Sequence, residues 1–275
     1  MTKLILYFVI SLNLIVAQSQ FSGQVKLVHS SFLNDCRAIS KPFRIGVLDY
    51  YYTFANIDLT FKNAIEYNWV TSKSKYDYRE LYISWYPKFG ELRLGKQIIP
   101  LGMADGNNPT DNINPYNYNY LFSSGIDRKE AVNSLYSDIY YDDFQFNIIL
   151  KWDNSGNVFP QDNEDSIFPN INLVERNKTI EYGISLLMML NENDISFTFQ
   201  NLLDHTPTLN NNNLSYRNTN MYGFNTVGFI NDIIYILIRI TKNNIAISIC
   251  RGHITKIINY IKSYRCKQCI NIRYI

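Results

Sequence analysis

The feature that most constrains this chain is an alternation of apolar and polar residues that recurs between Phe21 and Phe229. A period of two residues is typical of a β-strand whose two faces meet different surroundings. The sequence therefore predicts an all-β, antiparallel fold, and about nine or ten strands fit into this region. In the stretch Ile57–Asn68 the apolar series is interrupted at Asn63. The strands are predicted at Ile57–Asn68, Phe144–Trp152, Asp194–Leu203 and, less cleanly because Leu187 and Met189 fall on the polar face, Ile180–Leu190.

A predicted hairpin allows two neighbouring strands to be compared directly. The stretches Glu80–Lys88 and Glu91–Ile99 are separated by two residues, one of them a glycine. A two-residue turn would place Ser84 opposite Gly95. The polar residues of both strands then share one face, as cross-strand pairing requires.

Strand length and loop composition favour a membrane barrel. The predicted strands are roughly 9–12 residues long, and a barrel in the outer membrane turns its apolar face to lipid and its polar face to a wet lumen. Segments 154–172 and 204–213 are rich in asparagine, as long extracellular loops would be. A soluble β-sandwich is the alternative on pattern alone. Aromatic residues that would form interfacial girdles are Tyr50, Tyr51, Tyr52, Trp69, Tyr86, Tyr140, Tyr141 and Trp152.

The amino terminus predicts export. Lys3 precedes the apolar stretch Leu4–Val16, which is followed by Ala17 and a polar run. About thirteen residues suit the core of a secretory signal peptide and are too few for a helical span. We therefore expect residues 1–17 to be a signal peptide, with a buried N-terminal element as the alternative. Cys36 is the only cysteine before residue 230, so an internal disulfide framework is excluded in this region.

Composition excludes two other classes of protein. Aromatic residues make up 15% of the chain and charged residues 18%, whereas disordered chains are poor in aromatics and rich in charge. The mean hydropathy is -0.18, and apolar runs of about twenty residues do not recur, which excludes a polytopic helical membrane protein.

Residues 91–119 carry a recognisable pattern. A strand ending in Gly-Lys-Gln is followed by a glycine, then by an Asp-Gly and an Asn-Pro pair. This pattern resembles a segment of uncharacterised bacterial outer-membrane porin-like β-barrels, relatives of the alginate-exporter type. Those proteins usually have an aromatic residue before the glycine, where this chain has Leu101. The resemblance implies a porin-type barrel and no particular solute. The matching positions are Gly95, Lys96, Gln97, Gly102, Asp105, Gly106, Asn114 and Pro115.

The same segment is expected to form a long loop. Pro109 and Pro115 prevent a regular strand, and Asp-Gly and Asn-Pro pairs favour turns. A loop of this length either folds inward and narrows the pore, as loops do in selective channels, or extends outward as an ordinary surface loop.

These features predict an outer-membrane channel for passive passage of ions or small solutes, and we expect the chain as written to be a non-functional fragment of it. Its expected partners are outer-membrane lipid and the permeating solutes, with no nucleic acid and no cofactor. Enzymatic activity is not expected, because residues 18–229 contain no nucleophile motif, phosphate-binding loop or His-Glu-x-x-His metal site. The alternative is a secreted or surface β-sandwich that binds carbohydrate through loops rich in tyrosine and asparagine. The residues predicted to line the lumen, whose mixed charges imply weak ion selectivity, are Lys62, Glu66, Glu80, Arg93, Gln97, Gln145, Asn147 and Lys151.

The composition changes abruptly after Phe229. Residues 230–275 contain 16 isoleucines, 8 lysines and arginines, and a single acidic residue, whereas residues 1–229 contain 18 basic and 23 acidic residues. AT-rich codons yield isoleucine, asparagine, lysine and tyrosine in any frame. We therefore expect residues 18–229 to be an incomplete barrel and residues 230–275 to be an out-of-frame tail. A structural zinc site is the alternative for the tail, with the ligands Cys250, His253, Cys266 and Cys269.

Overall fold

The computed structural model describes most of the chain between Ser19 and Gly252. The predicted signal peptide, residues 1–17, lies outside the described residues, as do residues 253–275. From Phe229 onward only the backbone of the strands is described. The described ranges are 19–102, 110–120, 123, 125–153, 155–160, 172–173, 180–190, 193–210, 213–230, 233–242 and 245–252.

The regular secondary structure of the described residues is almost entirely β-strand, as the alternation predicts. Two 3-10 helices, Tyr118–Tyr120 and Gly125–Arg128, are the only helices in these ranges. Neither is long and apolar enough to cross a membrane. The strands are β1 (Ser19–Val25), β2 (Phe43–Phe54), β3 (Ile57–Asn68), β4 (Lys73–Trp85), β5 (Gly90–Gln97), β6 (Val132–Tyr141), β7 (Phe144–Lys151), β8 (Asn172–Leu173), β9 (Glu181–Leu190), β10 (Asn193–Leu203), β11 (Thr208–Asn210), β12 (Asn213–Ser215), β13 (Asn218–Ile230), β14 (Ile233–Lys242) and β15 (Ile245–Gly252).

Twelve of these strands form one antiparallel sheet in which each strand pairs with its neighbours along the chain. The order is β1-β2-β3-β4-β5-β6-β7-β9-β10-β13-β14-β15, and β11, β12 and β8 form a small separate sheet. Through β13 the large sheet has ten strands, which agrees with the predicted nine or ten. Within the described residues β1 and β15 each pair on one side only, so the sheet is not closed into a barrel.

The first part of the tail continues this sheet. The strands β14 and β15 form a hairpin whose first strand pairs with β13, from Ile230 opposite Ile233 to Met221 opposite Lys242. The expectation that residues 230–275 are out of frame stays a prediction, because backbone pairing does not report on the reading frame.

The predicted hairpin of β4 and β5 forms with its polar residues on one face, as expected, but its strands pair in a different register. Ser84 lies opposite Arg93 and Tyr82 opposite Gly95, two residues away from the predicted pairing. The strand β4 ends at Trp85, and a four-residue connection containing Pro87 replaces the expected two-residue turn. Proline cannot donate to a ladder, so the strands separate before reaching it. A shift of two residues preserves the faces, since side chains alternate with a period of two.

A β-bulge changes the faces of β4 midway along the strand. Lys62 of β3 pairs with Glu80, whereas the next residue, Asn63, pairs with Tyr78. Arg79 is therefore the extra residue, and a bulge re-aims the side chains around it. As a result Arg79 and Glu80, although adjacent in sequence, both line one cavity on the inner face of β1–β4. On the opposite face the Tyr76 hydroxyl donates a hydrogen bond to Asn63, the residue that interrupts the apolar series.

The two faces of the large sheet are reversed relative to a soluble protein. One face, here the outer face, exposes large apolar side chains such as Ile83 (50%), Leu94 (55%) and Ile184 (48%). The other, the inner face, buries polar side chains such as Gln200 (0%) and Asn225 (0%). A β-sandwich would pack the apolar faces of two sheets together. The described residues form one large sheet with its apolar face uncovered, so they do not form a sandwich.

The connections at the two ends of the sheet differ in length. At one end, the turn end, β2–β3 and β6–β7 are joined by two residues each, and β4–β5 by four. At the other, the loop end, four residues join β3 to β4, whereas the longer segments 26–42, 98–131, 152–180 and 204–217 separate the other successive strands up to β13. The Asn-rich segments recognised in the sequence both begin at the loop end.

Candidate functional site

All eight residues predicted to line a lumen belong to the inner face of the large sheet. Their side chains are buried or half-buried, which is unusual for charged groups unless they are paired. Lys62 and Glu80 are the only two that the structure pairs directly, with 2.8 Å between Nζ and Oε1. Gln145 and Asn147 are joined through a third residue, since both donate to the Asp138 carboxylate.

Two further predicted lumen residues, Lys151 and Arg93, form ion pairs with residues that were not among the predicted set. Lys151 forms an ion pair with Glu181, with 2.8 Å between Nζ and Oε2, and both side chains are almost fully buried. Arg93 donates two hydrogen bonds of 2.7 Å to Glu91. The two-residue alternation of their strands assigns three of these partners to the polar face, namely Glu91, Asp138 and Glu181. The sequence could therefore have identified them. Alternation could not have placed Arg79 on the polar face, because the bulge interrupts the two-residue period at this residue.

Residues 98–131, here the inserted segment, connect β5 to β6 and fold against the inner face. Ile99, Leu101 and Ile113 are buried in a cluster with Val132, Tyr136, Ile149 and Leu202 from the strands. The described residues of the segment therefore pack against the inner face and do not form an outward loop, whereas the narrowing of a pore stays a prediction. Burial of the three apolar side chains of the segment against the apolar strand residues of this cluster stabilises the segment on the inner face.

Asn114 fastens both ends of the inserted segment. Its Oδ1 accepts a hydrogen bond of 2.7 Å from the Ile99 amide, while Nδ2 donates to the carbonyls of Gln97 and Glu130. The side chain is fully buried. Asn114 therefore joins the end of β5 to the residues that precede β6.

The other described positions of the porin-like pattern lie at the end of β5 or in the inserted segment, as Asn114 does. Gln97 is fully buried and donates to the Ser134 carbonyl, whereas Lys96 donates to the Tyr78 carbonyl. Gly95 has a φ of 137°, and a Cβ there would lie 2.4 Å from the Leu81 carbonyl oxygen. Gly102 and Pro115 lie in the inserted segment. Asp105 and Gly106 lie outside the described residues.

One part of the inserted segment contacts β9, β10 and β13. Gln200 donates a hydrogen bond of 2.6 Å to the Thr110 carbonyl, and a Cβ on Gly223 would lie only 2.7 Å from the Thr110 methyl group. Ile113 lies 3.3 Å from the corresponding position of Gly183. Two glycines thus permit the backbone of the sheet to approach the segment closely.

The other part contacts β2, β3 and β4. The Tyr120 hydroxyl donates a hydrogen bond to Glu66, and the Arg44 guanidinium lies 3.9 Å from the centre of the Tyr120 ring. Arg44 also donates to the Asp127 carbonyl and forms an ion pair with Asp77. Burial raises the pKa of the Tyr120 hydroxyl, and its hydrogen bond to Glu66 raises it further. Tyr120 therefore stays protonated and remains a donor at neutral pH.

These two sets of contacts require the sheet to curl around the inserted segment. The strands β3 and β13 are seven places apart in the sheet order, which in a flat sheet is about 34 Å. The residues that reach them, Thr110 and Tyr120, are only ten positions apart and include part of a 3-10 helix. A chain of that length would have to be fully extended to span a flat sheet. The inner face is therefore concave.

A buried ion pair lies within the inserted segment itself. Lys129 Nζ lies 2.5 Å from Asp111 Oδ2, and both side chains are largely buried. Burial raises the pKa of the Asp111 carboxyl above its usual range, although Lys129 acts in the opposite direction. The pair thus keeps a charged carboxylate in a position that would otherwise favour the neutral acid.

The described residues contain no group of three or more histidine, cysteine or acidic side chains that could hold a metal ion. The alternative zinc site is not part of this observation. His253, Cys266 and Cys269 lie outside the described residues, and only the backbone of Cys250 is described, in β15.

Comparison with known proteins assigns no family to the chain. No protein-family model matches it, and no curated protein matches it. The resemblance of residues 91–119 to porin-like barrels therefore stays a prediction. The functional argument depends on the geometry of the two faces and of the inserted segment.

Proposed function

We propose that this chain forms an outer-membrane β-barrel of porin type that lets ions or small solutes pass passively through a lumen lined by the inner face. The observation that carries the proposal is the reversal of the two faces. Apolar side chains are exposed along successive strands, and the polar ones are enclosed with their ion pairs. Exposed apolar surface on this scale is a binding or aggregation surface in water, whereas in an outer membrane it faces lipid.

The position of aromatic residues on the outer face supports this environment. Phe144 begins β7 and Trp152 directly follows its last residue, and the two side chains are 37% and 48% exposed. They are separated by about 26 Å of strand, or about 20 Å along the membrane normal at a tilt of about 40°. That is close to the height of the apolar band between aromatic girdles. Between them the outer face of β7 carries Phe146, Ile148 and Leu150, all exposed.

The unequal connections support an orientation. Outer-membrane barrels have short turns on the periplasmic side and long loops outside. The chain would enter the membrane from the periplasm after removal of the signal peptide at residues 1–17. Ser19 begins β1 opposite Tyr52, which places the start of the strand region at the turn end. We assign that end to the periplasm.

The proposal needs both edges of the sheet to be paired in the membrane. The ten strands up to β13 already exceed the eight of the smallest barrels, and strands encoded by the restored frame after residue 229 would pair with β1 and β13. The inserted segment would then occupy part of the lumen and narrow it. The inner face carries both charge signs, so weak selectivity between cations and anions is expected.

Conductance is the decisive measurement. The protein with the reading frame after residue 229 restored, refolded into detergent and added to a planar bilayer, is expected to produce stepwise currents in potassium chloride. Under a salt gradient the reversal potential should lie close to zero, because the lumen carries both charges. Insertion without current would contradict the channel. A protein that stays soluble without detergent would favour a secreted carbohydrate-binding protein instead.

A further inference from the structure

Lys96 is the only charged side chain on the outer face of the strands of the large sheet whose side chains the structure describes. Those strands are β1–β7, β9, β10 and β13 up to Gly228. Lys96 belongs to this face because it pairs with Leu81 of β4 and follows Leu94 by two residues in β5. A cation on a lipid-facing surface is costly near the bilayer midplane and costs little near the interface. The position of Lys96 along its strand therefore decides what this charge can do.

Lys96 lies near the loop-end border of the outer face, since β5 ends at the next residue. Asn133 of β6 lies opposite it, and the Trp152 amide donates a hydrogen bond of 3.2 Å to the Asn133 carbonyl. Lys96, Asn133 and Trp152 thus form one row across β5, β6 and the end of β7, about 10 Å wide. Trp152 belongs to the aromatic girdle proposed at this end, and a lysine side chain can extend from such a position to the lipid headgroups.

The surroundings of Lys96 hold its ammonium group in place and leave its charge without a counter-charge. Nζ donates a hydrogen bond of 2.5 Å to the Tyr78 carbonyl and lies 4.5 Å from the centre of the Tyr78 ring. An ammonium group has three donors, and no acidic side chain forms an ion pair with Lys96 in the described part of the chain. Asp153, just beyond β7, accepts from the Asn133 amide and lies 4.0 Å from Lys151. The charge of Lys96 is therefore available to an anion from outside the chain.

The outer face around Lys96 changes from polar to apolar along the strands. Toward the loop end it carries Tyr76, whose hydroxyl donates a hydrogen bond to Asn63. Toward the turn end it carries Ile83 and Leu94, which are both exposed. A lipid has the same division, since its phosphate group adjoins the acyl chains. A lipid lying along this part of the face would place its phosphate at Lys96 and its acyl chains on the apolar side chains.

A second copy of this chain is a poorer occupant of the same surface. A protein interface would bury Lys96, and a buried charge needs a partner of opposite sign. The outer face of another copy offers no carboxylate among its described side chains, so contact between two such faces would leave Lys96 unpaired. A phosphate supplies the missing charge and accepts hydrogen bonds from the remaining ammonium donors.

We propose that Lys96, flanked by Tyr78 and Asn133, binds the phosphate of a lipid in the outer leaflet of the membrane. The loop end is the end assigned to the outside, and phosphorylated glycolipids of the lipid A type occupy that leaflet of bacterial outer membranes. The inference rests on the proposed function, because the outer face must lie in a membrane for a lipid to reach Lys96. It assigns the one charge of the described outer face to a lipid ligand rather than to the path of the solute.

Native mass spectrometry of the protein, prepared as for the conductance measurement and kept in an uncharged detergent, tests the site. The ligands are lipid A and lipid A without its phosphates, which has the same acyl chains. Lipid A should bind about tenfold more tightly, because a hydrogen bond between charged groups distinguishes the two. Lys96→Gln keeps a donor for the Tyr78 carbonyl and removes the charge, so it should remove most of this difference, whereas Lys96→Arg should retain it. Lys88→Gln removes the same charge at the turn end and should leave both affinities unchanged.

Equal binding of the two lipids by the unaltered protein would overturn the site. So would equal effects of the Lys96→Gln and Lys88→Gln substitutions, or displacement of lipid A by an equal concentration of inorganic phosphate. If Lys96→Gln does not fold, Asn133→Asp replaces it, because a carboxylate opposite Lys96 should weaken the binding of lipid A and spare the dephosphorylated lipid. Unchanged affinity for lipid A in that variant overturns the site as well.

Conductance in phosphatidylcholine bilayers is measured separately. Conductance without a preference for lipid A refutes this site and leaves the channel. A preference for lipid A that depends on Lys96, without conductance, refutes the channel and leaves the site.

Discussion

Asn114 is the residue on which the inserted segment depends most. Its side chain makes three hydrogen bonds to backbone groups at both ends of the segment and has no exposed surface. Asn114→Ala should lower the free energy of unfolding by about 3 kcal/mol, because buried backbone groups lose their partners. Urea unfolding of the refolded protein measures this change.

Asn56→Ala is the matched control for that prediction. Asn56 lies in the turn between β2 and β3, where it donates a hydrogen bond of 3.4 Å to the Tyr86 carbonyl in a solvent-exposed position. Water can replace that bond, so the cost should be below about 0.5 kcal/mol. Similar costs for the two substitutions would show that Asn114 does not anchor the segment.

The Lys129–Asp111 pair predicts a dependence of stability on pH. Burial already raises the pKa of Asp111, and removal of the nearby cation should raise it further. The folded state of Lys129→Met then binds a proton more readily than the unfolded state. Its stability should therefore fall as the pH rises from about 4 to 7, because unfolding releases the carboxylate to water.

The double variant Lys129→Met with Asp111→Asn isolates the carboxylate. It should lose this pH dependence and be more stable at neutral pH than Lys129→Met alone, since an unpaired buried charge costs about 3 kcal/mol or more. Unfolding measured across that pH range in both variants provides the comparison. Parallel profiles for the two variants would contradict the assignment.

At the scale of secondary-structure elements, the contact between β13 and the inserted segment depends on shape. A Cβ at Gly223 would lie 2.7 Å from the Thr110 methyl group. Gly223→Ala should therefore destabilise the protein by about 1–3 kcal/mol through overpacking. Thr110→Ser removes the methyl group and should restore most of the loss when combined with it.

Gly46→Ala is the control for this pair. A Cβ at Gly46, in β2, would meet no atom within 4 Å, so the substitution should change stability little. Thermal unfolding of the single and double variants measures the coupling. Failure of Thr110→Ser to rescue Gly223→Ala would mean that the two elements do not pack as described.

At the scale of the whole molecule, the reversed faces predict opposite tolerance to charge. Ile148 lies on the outer face midway between Phe144 and Trp152, and it is 40% exposed. In a bilayer, Ile148→Arg should cost about 2–4 kcal/mol, the penalty for arginine near the midplane. Asn147→Arg, on the inner face, should cost much less. Urea unfolding in lipid vesicles measures both, and equal costs would argue against a lipid-facing surface.

The reading frame is also a property of the whole molecule. If residues 230–275 are out of frame, shifting the frame by one near codon 229 should restore alternating strands and normal amounts of tryptophan, glycine and acidic residues. The nucleotide sequence around codons 220–235 is the observation required. An uninterrupted frame shared by related genes, or stoichiometric zinc in the purified protein, would contradict this prediction.

The sequence by itself determined the all-β antiparallel class, most strand positions and the face of the sheet on which each lumen candidate lies. The strand β3 was predicted with its observed bounds, Ile57–Asn68. Such features are local, because a two-residue period assigns every side chain of a strand to one of two faces. Glu181 and Asp138 could have been added by the same rule.

Only the tertiary structure decided the register of the β4–β5 hairpin, the face of the sheet on which Arg79 lies and the path of the inserted segment. The hairpin register moved by two residues because the connection around Pro87 is longer than its glycine suggested. Arg79 points into the cavity because β4 contains one residue more than its partner, which no pattern within β4 reveals. The inserted segment packs on the inner face because Gln200 and Glu66, which are distant in sequence, form hydrogen bonds with Thr110 and Tyr120. Contacts of this kind depend on how separate strands meet, and the alternation within a single strand carries no information about them.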